Sequence, residues 1–186
     1  MFKFDPAAYG PVFEPLVAGD RCRAPVGGQP NGAAREALEK LTLESAFAHA
    51  RIVNLDMGRC CLAGLWLVQD FRDQSHVVSQ SIETSSGSYW HALVHRREGD
   101  YPYTKYWFRR IGEHPVFEPL AESVTALVHE SGEPIPKFLA GGQWEPLAFV
   151  DALQQAVQNG TGIGLCCAVQ QAEWELLFDH CYRAAR

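Results

Sequence analysis

The sequence predicts an all-α fold: a compact multi-helix domain of about six or seven helices built around a central αα-hairpin. Three observations predict it. Apolar residues recur at three- and four-residue spacing through most of the chain, Gly, Pro and N-cap residues punctuate it, and no strand–helix–strand alternation occurs. Only Ile52 to Leu55 and His76 to Ile82 carry enough β-branched residues to hint at strand.

After a Gly/Pro-rich loop from Pro25 to Gly32, Leu38, Leu41, Leu43, Phe47 and Ala50 lie on one face of a helix expected over Ala33 to Ile52. A second helix is expected from about Met57 into the region of Ile82. Leu62, Leu65, Trp66, Leu67 and Phe71 make it apolar on most sides, which predicts a central place in the core. Ser85, Ser86 and Ser88 are N-cap candidates for a helix reaching Arg97. Gly99-Asp100-Tyr101-Pro102 then interrupts, because Gly favours a helix end and Pro cannot continue a helix interior. The next helix covers about Tyr103 to Ile111. The tripeptide Glu-Pro-Leu recurs at positions 14, 118 and 145, each time after an aromatic residue, and suits a helix start. It predicts helices over Pro119–Glu130 and Pro146–Gln158, with a last one over Gly164–Arg183. Ser131 to Gln143 reads as a loop, and so does Gly160-Thr161-Gly162-Ile163-Gly164, which has no preceding strand and lacks the spacing of a nucleotide loop.

At 186 residues the chain fits one domain, 1–186, and a domain of this size buries roughly 70% of its unfolded surface without needing a disulfide or metal staple. The net charge of −6 argues against a general nucleic-acid partner, since such proteins carry a basic footprint. Only the stretch from His91 to His114 departs from this, with a local balance of +2. The opening residues show no basic segment followed by an apolar run, and no apolar stretch approaches membrane-spanning length. A soluble, cytoplasmic protein is expected. Its six cysteines include two adjacent pairs, Cys60–Cys61 and Cys166–Cys167, and no C-x-x-C. That pattern fits buried packing better than a zinc knuckle, with a thiol redox sensor as the alternative.

Chemistry concentrates between Ser88 and Pro115, where two Trp, four Tyr, three His and four Arg occur together. Desolvating so many polar groups is costly unless each finds a partner. Three readings follow. His91 and His95, at i and i+4, share a helix face and qualify as acid/base or metal-binding residues. Glu98 is about 10 Å further along the axis from His91 and cannot join it on one ion, so a third ligand would come from His114, His76 or His129. In the second reading Arg96, Arg97, Lys105, Arg109 and Arg110 hold a small anion while Trp107 and its aromatic neighbours stack on it, with Glu98 and Asp100 at the same site. The third reading is an internal ion-pair network in a helical protein-interaction module, with the histidines as hydrogen-bonded members. The expected function is binding of a small anionic or aromatic ligand, with catalysis open and the cofactor unknown.

Two resemblances attach to these residues. Gly99, Asp100, Tyr101, Thr104, Phe108, Ile111 and Pro115 resemble the turn and second helix of a tetratricopeptide repeat, an αα-hairpin used in protein interaction. Thr104 and Ile111 stand where that repeat has a small Ala, and no tandem copy follows. The string H-R-R-E-x-D-Y-x-x-x-K-Y-W-F-R-R-x-G-x-H-P also resembles one shared by a group of uncharacterised, mainly bacterial proteins, which implies kinship over about 25 residues and supplies no role.

Overall fold

The computed structural model describes the chain except Met1, Asp20, Arg23 and Glu133, so the first residue of the opening stretch and one residue of the expected 131–143 loop lie outside it. Among the described residues the helices are α1 (Glu14–Val17), α2 (Gly32–Glu39), α3 (Leu43–Ala46), α4 (Leu55–Val68), α5 (Arg72–Ser79) and α6 (Ser85–Glu98). They continue with α7 (Tyr101–Ile111), α8 (Phe117–Ser131), α9 (Pro146–Asn159) and α10 (Ile163–Ala185). Short 3-10 turns cover Pro6–Tyr9 and Lys137–Gly142, and no described residue is in a strand. The fold is all-α, and no described helix is long and apolar enough to cross a membrane.

Among the described residues eight helices are eight residues or longer, against the six or seven expected; two expected helices are each broken, and the second break, between α4 and α5, adds one to the number. In the first, Thr42 restarts the chain. Its hydroxyl accepts from the Ser45 N–H at 3.1 Å while the Ser45 hydroxyl accepts from the Thr42 N–H at 3.0 Å, a reciprocal cap that competes with helix continuation. In the second, Asp70 takes a left-handed conformation with φ 61°. The Phe71 N–H then reaches the Trp66 carbonyl at 2.9 Å and closes α4. The strand hints dissolve with these breaks: His76 to Ser79 belong to α5, and the N–H groups of Val53 and Asn54 are tied to the Ala185 carbonyl at the end of α10.

Three boundaries also differ. Thr84, not one of the serines, caps α6 by accepting from the Gly87 N–H at 3.0 Å. Pro102 sits within the first turn of α7, where its missing N–H costs nothing, so that helix begins at Tyr101. Pro146 occupies the first helical position of α9 as expected, whereas Pro15 is the second residue of α1 and α8 starts two residues before Pro119.

The helix at the centre is α6 and not the apolar α4. Eleven of the fourteen residues of α6 are buried, from Ser86 through Arg97, and it packs against α4, α5 and α7. Close approach is possible where side chains are missing. A Cβ on Gly87 would stand 2.3 Å from the Ile82 carbonyl oxygen, and one on Gly64 of α4 would stand 2.9 Å from the Trp90 ring. Opposite lies α10, which packs on α4, α8 and α9. Its Trp174, Phe178 and Tyr182 join Phe13, Phe47 and Trp90 in a fully or nearly fully buried aromatic cluster. Each such ring contributes roughly 1.5–3 kcal/mol by leaving water. Cys60, Cys61, Cys166 and Cys181 belong to the same core; none of the six cysteines is in a disulfide, and only Cys167 is half-buried. Burial pushes Cys22 up to about 12 and Cys166 up to about 11, so those thiols stay protonated.

Candidate functional site on the central hairpin

Burial of most of α6 sets its polar groups against neighbouring elements, and different faces meet different neighbours. The residues expected to share one site therefore separate.

The face toward α10 is structural. Glu173 on α10 is fully buried and accepts from the Tyr89 hydroxyl at 2.8 Å, while its second oxygen forms an ion pair with Arg96. The Arg96 Nε donates to Gln170 at 3.1 Å, and its guanidinium lies 5.1 Å from the Phe149 ring centroid. Arg97 points elsewhere. It donates to the carbonyls of Ala24 and Gly27 at 2.7 Å each and to Asp70 at 2.6 Å, clasping the segment before α2 onto the α4–α5 corner. Arg96 and Arg97 thus hold the fold, in place of the anion-holding role expected for them. Asp100 is the cap of α7, accepting from the Tyr103 N–H at 3.1 Å, and Lys105 pairs with Asp151 on α9. Arg109 is exposed.

The face toward α5 is different. His91 and His95 lie there, both nine-tenths or more buried, and half-buried His76 of α5 meets them with ring centroids 4.5 and 5.2 Å away. One ring nitrogen from each of the three lies within 4.8 Å of the others. Trp107 of α7 lies over His91 at 4.3 Å between centroids, and Tyr103 meets His95 edge-on at 4.6 Å. Glu98 takes the other side of His95: Nδ1 donates to Oε2 at 3.0 Å. The Nδ1 of His91 and the Nε2 of His95 are buried without a hydrogen-bond partner. Burial, then the neighbouring His76 and His95, pushes His91 down to about 4. His95 is lowered by burial as well, with Glu98 opposing. Both rings are neutral at physiological pH, so each offers a lone pair.

Beside this cluster a cleft of about 540 Å³ opens between the α5–α6 turn and α7. Ser79, Glu83, Thr84 and Ser88 line one side and Trp107 and Arg110 the other. The Arg110 guanidinium lies 5.3 Å from the Trp107 ring centroid and donates to the Tyr106 hydroxyl at 3.2 Å. Among the described residues no carboxylate pairs with it. Ser79 is one turn beyond His76, Ser88 one turn before His91, and Trp107 touches both the cluster and the cleft.

His114, another expected partner for the pair, is occupied elsewhere. Its Nδ1 accepts from the Val116 N–H at 3.2 Å, so Nε2 carries the proton and donates to the Ser86 hydroxyl at 3.0 Å. Glu173, Asp70, Gln170 and Asp151 had no local signal in the sequence, because they are 27 to 84 residues from the hairpin groups they meet. Compared with family models, curated proteins and solved structures, the chain matches none.

Proposed function

We propose that this protein binds a small anionic ligand carrying a flat or apolar body, in the cleft between the α5–α6 turn and α7. One observation carries the reading: Arg110, with no carboxylate partner among the described residues, lies over Trp107 on the wall of a cleft of about 540 Å³. That volume is in the range of small-molecule sites. A guanidinium beside an indole face recognises a carboxylate or phosphate attached to a planar group, and the hydroxyls of Thr84 and Ser88 supply neutral donors opposite. The acidic net charge favours a small ligand over nucleic acid as the partner, and six cysteines without a disulfide among them fit a reducing, cytoplasmic setting.

Calorimetric titration with benzoate, phenyl phosphate and inorganic phosphate tests this. Saturable binding that Arg110→Ala weakens about tenfold or more, the size of a lost charge-assisted pair, is the expected result. Absence of saturable binding to any of the three, or an unchanged affinity in Arg110→Ala, overturns it.

A second reading has its own support. Val77 is 62% exposed and, with Trp66 and Val78, lines an apolar groove between α4 and α5 that would suit a protein contact. That reading predicts that Val77→Glu abolishes association with a partner while leaving benzoate binding intact.

A further inference from the structure

We propose that His76, His91 and His95 form a site for one divalent transition-metal ion, with zinc the ion that the ligand set fits best. This goes beyond the cleft reading and stands or falls separately from it.

The argument begins with the cost of the arrangement. A buried polar atom that makes no hydrogen bond costs about 1–3 kcal/mol. Such atoms are uncommon enough that each calls for an explanation. Here His91 Nδ1 and His95 Nε2 are both buried without a partner, and one ring nitrogen from each of these two rings and from His76 lies within 4.8 Å of the others. Ring packing alone does not account for this. Stacking against Trp107 and Tyr103 uses the faces and edges of the imidazoles and leaves the nitrogen lone pairs unmet. A cation among the three nitrogens meets all of them at once.

Geometry agrees. Zinc binds imidazole nitrogen at about 2.0–2.1 Å in a tetrahedron, which sets nitrogens about 3.3 Å apart. Reaching that from separations of at most 4.8 Å requires rotating the rings by an ångström or so, and half-buried His76, on the rim, has the freedom to move. His91 and His95 need no loop to bring them together, since i and i+4 on α6 place them on one face. The Glu98 carboxylate fixes Nδ1 of His95 as the donor and leaves Nε2 as the nitrogen with the lone pair. Metal-bound histidines ordinarily have such a carboxylate behind them.

The donor set also selects the ion and its use. Three imidazoles, with no thiolate and no carboxylate in the group among the described residues, suit zinc, cobalt or nickel over calcium or magnesium. Three protein ligands leave at least one position for water or a ligand oxygen, which is the arrangement of zinc centres that react and not of those that only brace a fold. When bound there, the ion supplies Lewis acidity beside the cleft, with Trp107 between the two.

The test uses the full chain after chelator treatment. Titration with Zn²⁺ and with Co²⁺ is followed by calorimetry, and the Co²⁺ complex by visible absorption. Expected results are one ion per chain, the intense visible bands of four- or five-coordinate Co²⁺, and no thiolate-to-metal band in the near ultraviolet. His76→Gln, on the rim, is expected to fold as judged by circular dichroism and to lose affinity at least about 100-fold. Glu98→Gln is expected to lose about 10- to 100-fold. Nitrogen-15 shifts of the histidines give an independent readout, with His91 Nδ1 and His95 Nε2 moving on metal addition. No stoichiometric binding of either ion overturns the proposal. So does binding with thiolate character, or an affinity that folded His76→Gln leaves unchanged. Benzoate titrated into metal-free protein keeps the two readings apart, because loss of the metal site leaves the Arg110 contact in place.

Discussion

The Tyr89 hydroxyl donates to Oε1 of Glu173 at 2.8 Å, joining α6 to α10 across 84 residues of sequence. Arg96 takes the other oxygen of the same carboxylate, so one fully buried acid is met by two groups seven residues apart on a single helix. Burial and the adjoining carboxylate hold the Tyr89 phenol well above its ordinary range, and it remains a donor at any pH the fold survives.

Removing only one member of this set leaves a charge buried and uncompensated. Glu173→Ala is expected to lower stability by about 3–5 kcal/mol, measured by urea unfolding. The double replacement Glu173→Leu with Arg96→Met removes both charges and is expected to recover most of that loss. Equal losses in the single and double variants would show that the pair does not act as a unit.

Acid is expected to weaken the fold between pH 6.5 and 4. His114 is buried and held down to about 4 by burial and the nearby His180, and His91 is likewise held to about 4. An unfolded histidine titrates near 6.5, so in that window the unfolded chain takes up protons that the folded chain refuses. Stability is therefore full above pH 6.5, declines as pH falls, and levels off below 4, with at most about 3 kcal/mol from each residue. Unfolding free energies of the metal-free protein across this range check the prediction. Replacing His114 by Asn is expected to flatten the slope while costing stability at pH 7.

Gly87 is expected to tolerate nothing larger. Its Cβ would meet a backbone carbonyl 2.3 Å away, which no side-chain rotation relieves. Gly87→Ala is expected to cost about 1–3 kcal/mol by overpacking and to loosen the α5–α6 turn on which Glu83 and Thr84 stand. Thermal unfolding compared with a Ser88→Ala control would reveal it. A melting temperature equal to the control would mean that the turn yields freely.

Native alkylation with iodoacetamide at neutral pH is expected to label Cys167 first. The other five thiols are buried; burial holds Cys22, Cys61 and Cys166 above their ordinary range, and a hydrogen bond with Cys181 together with burial does the same for Cys60. Peptide mass mapping at increasing reagent times gives the order.

The fold class was legible because helix periodicity and stop signals are local. Gly99, Gly132 and Gly160 each end a helix in the left-handed conformation, and each was readable as a boundary. Asp70 was not, since an aspartate adopting that conformation owes it to Arg97, a partner 27 residues away. The same limit applied to the site. Spacing alone paired His91 with His95 and named His76 among possible companions, but His76 was distinguishable from His114 only once α5 was seen to fold back on α6. Arg96 and Arg97 sit within the same dense segment as the histidines, yet a helix turns about 100° per residue, so neighbours in sequence face different elements. Composition showed that the segment was costly without showing which side of it bore the cost.

Because α6 is held by Glu173 on one side and carries the imidazoles on another, the histidines are mounted on a shaft whose rotation is already locked. Metal capture on such a mount has no loop to order and little apolar surface left to bury. Its heat-capacity change should be small, and its association rate should not depend on a preceding isomerisation.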